Sequence, residues 1–105
     1  IINNFYDGIL RFKFYDLCDK NLGAEDYINI SKISNHIFIE EVPIFNDQNS
    51  NQQLRFITLV DILYEKKINL TLSLADDIDN LGSSQKHLKT FIRTTSRLIE
   101  LTKKT

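Results

Sequence analysis

Gln52-Gln-Leu-Arg-Phe-Ile-Thr-Leu-Val-Asp-Ile-Leu-Tyr-Glu-Lys66 decides the fold of this chain. Its polar residues Arg55, Thr58, Asp61 and Glu65 fall on one helical stripe, while Phe56, Ile57, Leu59, Val60, Ile62 and Leu63 occupy most of the remaining circumference. A helix with so wide an apolar surface is covered on more than one side. On either side of it stand two short apolar runs, His36-Ile-Phe-Ile-Glu-Glu-Val42, stopped by Pro43, and Ile68-Asn-Leu-Thr-Leu-Ser-Leu-Ala75. Their length and branched residues suit buried strands better than solvent-facing ones. Strand, long helix, strand is the signature of a parallel pair joined by a right-handed crossover.

Working outward, Ile9 to Tyr15 alternates enough for a further strand, with Asp7-Gly8 as a turn before it. A helix is expected after Asn21, because Ala24 has high propensity and Glu25 and Asp26 place acids where the helix dipole favours them. It should end near Ser34. Asn46 to Gln53, rich in Asn, Gln, Asp and Ser, reads as linker-like, and Asp77 to Leu81 as a short helical turn before Gly82-Ser83-Ser84. A final helix is expected from about Thr94 to Lys103, within a basic C-terminal stretch at about 86–105. No segment repeats or is low in complexity, so the chain is expected to be one α/β domain over 1–105. The expected architecture is two or three layers, with a short, mainly parallel sheet of about three strands and flanking helices.

At 105 residues the chain can bury a core without metal or disulfides, and its 42% hydrophobic and 26% charged composition is that of an ordinary soluble domain. A net charge of −1 argues against a generally basic nucleic-acid binder. The charge is unevenly spread, however. Residues 85–105 hold six Lys and Arg against one acid, leaving the first 84 residues acidic. Lys86, Lys89, Lys103 and Lys104 form a tail that is either simply solvated or meets an acidic membrane surface. Cys18 is alone, so it closes no internal disulfide and is expected to be a small buried side chain in a reducing compartment. Neither a membrane span nor a signal peptide is legible. The absence of methionine and the start at Ile1 suggest a processed or truncated chain.

The motifs that would carry chemistry within the chain are missing from its sequence. Gly8, Gly23 and Gly82 are isolated, and no G-x-x-x-x-G-K-[ST] loop occurs, so the chain by itself should neither bind nor hydrolyse ATP. Glu40 and Glu41 end an apolar strand in the manner of Mg²⁺-holding acids in NTPases, but an ordinary strand end before a Pro-marked loop is the simpler reading. His36 and His87 lie far apart with a single cysteine, which gives no metal-ligand spacing. His36 reads as a capping or surface residue. No serine or cysteine nucleophile signature is present.

Four arginines stand against nine lysines, and two of the four, Arg93 and Arg97, are one helical turn apart. A planar guanidinium is the side chain suited to gripping a carboxylate or phosphate with two bonds. Like charges at i and i+4 repel, so something should offset the cost. Glu100 can do so from i+3 as an ordinary structural charge. Alternatively the pair, with Ser96, projects from a helix start onto an anion. The stripe Arg55, Thr58, Asp61, Glu65 is likewise either solvated surface or a contact with a neighbouring domain, while Tyr64 is expected to pack its ring and wet its hydroxyl.

Four ordered blocks carry a resemblance to a known family. They are Arg11-Phe-Lys-Phe-Tyr-Asp-Leu-Cys18, Asn21-Leu-Gly-Ala-Glu-Asp-Tyr27, Arg55-Phe-Ile-Thr-Leu-Val-Asp-Ile-Leu-Tyr64, and Arg93-Thr-Thr-Ser-Arg-Leu-Ile-Glu-Leu101. In order and spacing they resemble the C-terminal part of the ZapE-type ATPases, the AFG-like branch of the P-loop AAA-type NTPases, whose members read roughly F-x-F-x-x-L-C, L-G-A-x-D-Y, R-R-F-I-x-L-x-D-x-L-Y and R-T-x-S-R-L-x-E-M. Two positions depart from that pattern: Leu54 replaces the first arginine of R-R-F-I, and Leu101 replaces the final methionine. The resemblance implies a C-terminal lid or interaction domain of a larger ATPase, with Arg93, Ser96 and Arg97 as nucleotide-sensing or anion-contact residues. Arg55, Thr58, Asp61, Glu65 and Glu100 are then domain-interface candidates.

For the parent protein the resemblance implies ATP and Mg²⁺ as cofactors, and as partners the upstream ATPase domain, protein substrates or division-ring proteins. It also implies a cytoplasmic location, peripheral to the inner membrane at most, with protein quality control as the theme of mitochondrial relatives. The rival readings are a stand-alone protein-binding module without nucleotide, and a degenerate nucleotide binder using Glu40 and Glu41.

Overall fold

The computed structural model describes residues 4–6, 8–19 and 22–102; Asp7 of the expected turn, Asn21 of the second block, and Lys103 and Lys104 of the basic tail lie outside the described residues. In chain order the elements are β1 (Asn4–Tyr6), β2 (Ile9–Lys13), α1 (Phe14–Cys18), α2 (Ala24–Lys32), β3 (His36–Val42), α3 (Ser50–Glu65), β4 (Asn69–Leu74) and α4 (Leu88–Thr102). Three short 3-10 turns, Asp47–Asn49, Ile78–Asn80 and Gln85–His87, join them.

The sheet runs in the order β1-β2-β3-β4, with β2, β3 and β4 parallel and β1 antiparallel at the edge. The expected α/β architecture with a three-strand parallel sheet is therefore present, extended by one short edge strand. Both crossovers step the same way along the sheet, and right-handed crossovers that do so leave their helices on one face. Burial follows that rule. Leu10, Phe12, Ile37, Ile39 and Leu70 are inside, whereas Ile9, Arg11 and Lys13 of the same β2 strand are exposed. The molecule is a two-layer sandwich in which β3 and β4 have one covered face and one open one. The expectation of buried rather than solvent-facing strands holds for one face only: Asn69, Thr71 and Ser73 are the polar half of an alternation that the apolar run obscured.

Along α3 the wide apolar surface is covered as expected: Phe56, Leu59, Val60 and Leu63 are fully buried and Ile57 nearly so. The helix ends in a Schellman turn, in which Ile68 N–H reaches Leu63 C=O at 2.9 Å and Lys67 N–H reaches Tyr64 C=O at 3.2 Å. Lys67, at φ 57°, occupies the left-handed position usually given to glycine.

Three boundaries differ from the sequence expectation. β2 stops at Lys13 and the chain turns helical, because Phe14 swings into an aromatic cluster with Phe45 and Phe56, at centroid distances of 5.6 and 5.7 Å. The linker-like stretch is instead a helix start. Asn46 Oδ1 accepts from Gln48 N–H and Asn49 Oδ1 from Asn46 N–H, each at 2.8 Å, so the polar residues are caps. Finally, α4 begins six residues early, at Leu88. Phe91 packs edge-on to Phe45 at 5.3 Å, and this burial overrides the low helix propensity of the threonines around it. Those threonines return their hydroxyls to their own helix: Thr95 Oγ1 donates to Ile92 C=O at 2.9 Å.

Gly82 is required where it stands. It bridges Phe45 at φ 72°, and a Cβ there would meet Phe45 C=O at 2.7 Å.

Candidate functional site

The arginines of α4 meet α3. Arg97 Nη1 donates to Asp61 Oδ1 at 2.5 Å, and Arg93 Nη2 lies 3.5 Å from Asp61 Oδ2, so one carboxylate takes both cations. This resolves the repulsion between them with a partner on another helix. The Arg97 guanidinium also sits 4.7 Å from the centre of the Tyr64 ring, a cation–π contact. Tyr64 in turn donates its hydroxyl to Glu100 at 3.1 Å, which holds the phenol pKa above its usual value, first through that bond and then through the carboxylate charge. Glu100 is thus engaged across the helix pair with Tyr64, and Arg97 is held by Asp61. The two arginines are not equivalent. Arg97 is one-quarter exposed, while Arg93 is more than half exposed at the end of a long contact. Ser96 is exposed and donates to Ile92 C=O at 3.3 Å.

The stripe on α3 divides among different surroundings. Arg55 Nη1 reaches back to Cys18 C=O at 3.2 Å, Thr58 donates to Leu54 C=O in its own helix at 3.1 Å, and Glu65 is exposed. Cys18 is buried as expected, and burial pushes its thiol up to about 12 against the smaller opposing effects of Tyr27 and Arg55. An inert thiol results. Tyr27, also fully buried, donates to Leu17 C=O at 2.7 Å.

A second set of side chains lies on the open face of the sheet, where register aligns Arg11 with Phe38 and Phe38 with Thr71. Arg11 stands over the Phe38 ring at 5.3 Å and 3.5 Å from Glu40. His36 stacks on Phe38 at 4.7 Å and shares a 2.8 Å hydrogen bond with Thr71 Oγ1, which makes it a sheet-face residue rather than a cap. Glu40 therefore faces a cation of the chain itself. Glu41, exposed and at φ 63°, sits at the irregularity where β3 shifts register against β4. Among the described residues no group of three His, Cys, Asp or Glu side chains is placed to hold a metal, and no helix is long and apolar enough to cross a membrane.

Sequence reasoning missed Gln53. It is fully buried at the start of α3, where its amide donates to Ser83 Oγ at 2.8 Å and accepts from Ser84 N–H and Oγ at 3.0 and 2.9 Å. This network pins the segment leading into α4. Its only trace in the sequence is a glutamine three residues before Phe56, on the face that the helix buries.

The family model described as AFG1-like ATPase matches residues 2–105. The chain belongs to the AFG1-like ATPase family. Over 68 residues it is 32% identical to lactation elevated protein 1 homolog B of Danio rerio, covering 65% of this chain and 14% of that protein. Over 92 residues it is 28% identical to cell division protein ZapE of Escherichia coli K12, covering 88% of this chain and 24% of that protein; the O157:H7 protein of the same name matches equally. No solved structure matches. The chain spans about a quarter or less of these curated relatives. In this AFG1-like chain the blocks of the sequence resemblance explain one another structurally. The third and fourth meet at Asp61, Tyr64, Arg93, Arg97 and Glu100, and the first, second and third meet around Cys18, Tyr27 and Arg55.

Proposed function

We propose that this chain is the C-terminal lid or interaction domain of an AFG1-like ATPase, and that the longer protein couples ATP hydrolysis, with Mg²⁺, to remodelling of other proteins. The observation that carries this reading is the open face of the sheet. A parallel sheet is normally covered on both sides, and here Arg11, His36, Phe38 and Glu40 present a mixed polar and aromatic surface opposite the helices. In a chain that spans a quarter of its ZapE relatives, the upstream ATPase domain of the same protein supplies the missing layer. The phosphate-binding loop, which this sequence lacks, comes from that domain too.

Within the arginine pair the roles divide. Arg97, fixed by Asp61 and Tyr64, is the positioning residue, and Arg93 is the one that reaches a nucleotide phosphate or an acidic neighbour, with Ser96 beside it. Arg55, Thr58 and Glu65 remain interface candidates. The name of the Escherichia coli relatives, cell division protein ZapE, supports a role in cell division. Division-ring proteins as partners and a cytoplasmic site of action, with peripheral contact at the inner membrane, belong to the same proposal.

Steady-state ATP hydrolysis by the longer protein carrying Arg93→Lys or Arg11→Gln, beside thermal melts, tests the reading. Turnover should fall at nearly unchanged melting temperature, since both side chains are about half exposed. Wild-type turnover in both variants would remove the lid reading and favour a binding module without nucleotide.

A further inference from the structure

Helix α4 has two apolar faces. Phe91, Thr94 and Leu98 are buried against the body of the domain, while Leu88, Ile92 and Ile99 are 50, 65 and 50% exposed. With the half-buried Thr95 between them, these positions are spaced by four, three and four residues, the seam of a helix that packs against another helix. Surface depressions run beside this seam. One, of about 570 Å³, is lined by Leu72, Leu74, Ile78 and Ile99 together with Asp76 and Asp77. Another, of about 240 Å³, continues from Ile78 past Leu88, Ile92 and Thr95.

The charges at the two ends of the seam are opposite. Asp76 and Asp77 lie beside Ile99, and Lys86 and Lys89 flank Leu88; no ion pair among the described residues uses any of the four. A spacing of four, three and four reads the same in both directions. When two copies of α4 cross antiparallel, Leu88 of one lies opposite Ile99 of the other and Ile92 lies opposite Thr95, and the lysines of each copy fall on the aspartates of its mate. Such a pairing is isologous and closes after two copies. We propose that the exposed seam of α4 is the site at which two copies of this chain associate in an antiparallel, two-fold helix pair. A different amphipathic helix would need the same pattern of apolar residues with bases at one end, which α4 itself already provides.

Sedimentation velocity of the full chain over a concentration series should show a reversible dimer. Ile92→Asp should weaken it by more than about a hundredfold, because an unpaired charge is placed at the centre of the contact. Reversing Asp76 and Asp77 to lysine should weaken it by about tenfold, and adding Lys86→Glu and Lys89→Glu to that variant should restore it, a rescue that unspecific apolar association would not give. Thr95→Cys provides a readout independent of those changes, since Cys18 is buried. A short bismaleimide should link Thr95→Cys chains in pairs and leave Lys32→Cys on α2 unlinked. A chain that stays monomeric throughout, a dimer indifferent to Ile92→Asp, or equal linking at both cysteines would overturn the proposal. The monomeric result would leave the seam to a segment elsewhere in the longer protein or to a helix of another one.

Discussion

Replacing Asp61 by asparagine separates the structural role of the arginine pair from any role toward nucleotide. The Asp61–Arg97 contact is short, and its two side chains are about one-third and one-quarter exposed. It therefore lies between a solvated ion pair, about 0–1 kcal/mol, and a charge-assisted bond in a drier site, about 1.5–3 kcal/mol. We take about 1.5 kcal/mol. Arg93, more than half exposed and 3.5 Å away, adds at most a few tenths of a kcal/mol after solvent screening. Losing the shared carboxylate also restores the repulsion between Arg93 and Arg97, again about 0.2–0.5 kcal/mol. The Tyr64 ring keeps its hold on Arg97 in the variant. Asp61→Asn should thus cost about 2 kcal/mol, a fall of about 10 °C in melting temperature for a domain of this size.

Urea melts of wild type, Asp61→Asn, Arg97→Lys and the double variant measure this directly. The coupling energy should exceed about 1 kcal/mol, and salt should reduce it without abolishing it, because at 1 M the screening length of about 3 Å still exceeds the contact. Coupling indistinguishable from zero would refute the clamp. Arg97 would then be available to an anion, and the division of roles between Arg93 and Arg97 would fall with it.

Leu59→Ala or Leu63→Ala should each cost about 2–5 kcal/mol in the same assay, while Thr58→Ala, whose hydroxyl only returns to Leu54 C=O, should cost less than about 0.5 kcal/mol; the reverse ranking would mean that the faces of α3 are misplaced. Gln53→Leu keeps the volume but strands the Ser84 N–H and hydroxyl, so a loss of about 2–4 kcal/mol is expected, with faster amide exchange at Ser84 as its local signature. Burial holds the His36 imidazole pKa below its ordinary 6.5, so the unfolded chain binds the proton more readily. The stability this contributes is complete above pH 6.5 and declines as pH falls below it, and a His36→Gln variant should lose that part of the acid slope.

The sequence by itself determined the elements whose pattern is long and unambiguous. His36–Val42 is the strand expected, and α3 differs from its expected span by two residues at one end and one at the other. Sixteen residues with one dominant apolar surface leave no alternative period, and the strands on either side of such a helix pair in parallel because a right-handed crossover is the only short route. The family was legible too, because four ordered motifs constrain far more than any local propensity. Tertiary contacts decided the rest. The alternation of Phe12 and Phe14 fits a strand as well as a strand followed by a helix, and only the ring cluster with Phe45 and Phe56 selects the second. The early start of α4 depends on Phe91 finding Phe45, a partner 46 residues away that no local window contains.

The candidate site divides in the same way. Arg93 and Arg97 were visible as a pair that needed an anion, and helical spacing offered Glu100 as the nearest one. Asp61 prevails because packing α3 on α4 brings its carboxylate within reach of both guanidinium groups, while the Tyr64 ring and hydroxyl engage Arg97 and Glu100. Spacing along one helix fixes which charges are neighbours on its surface. Which of them become partners depends on the second surface laid against it, and that is set by the burial of Phe91, Thr94 and Leu98 rather than by the charges themselves.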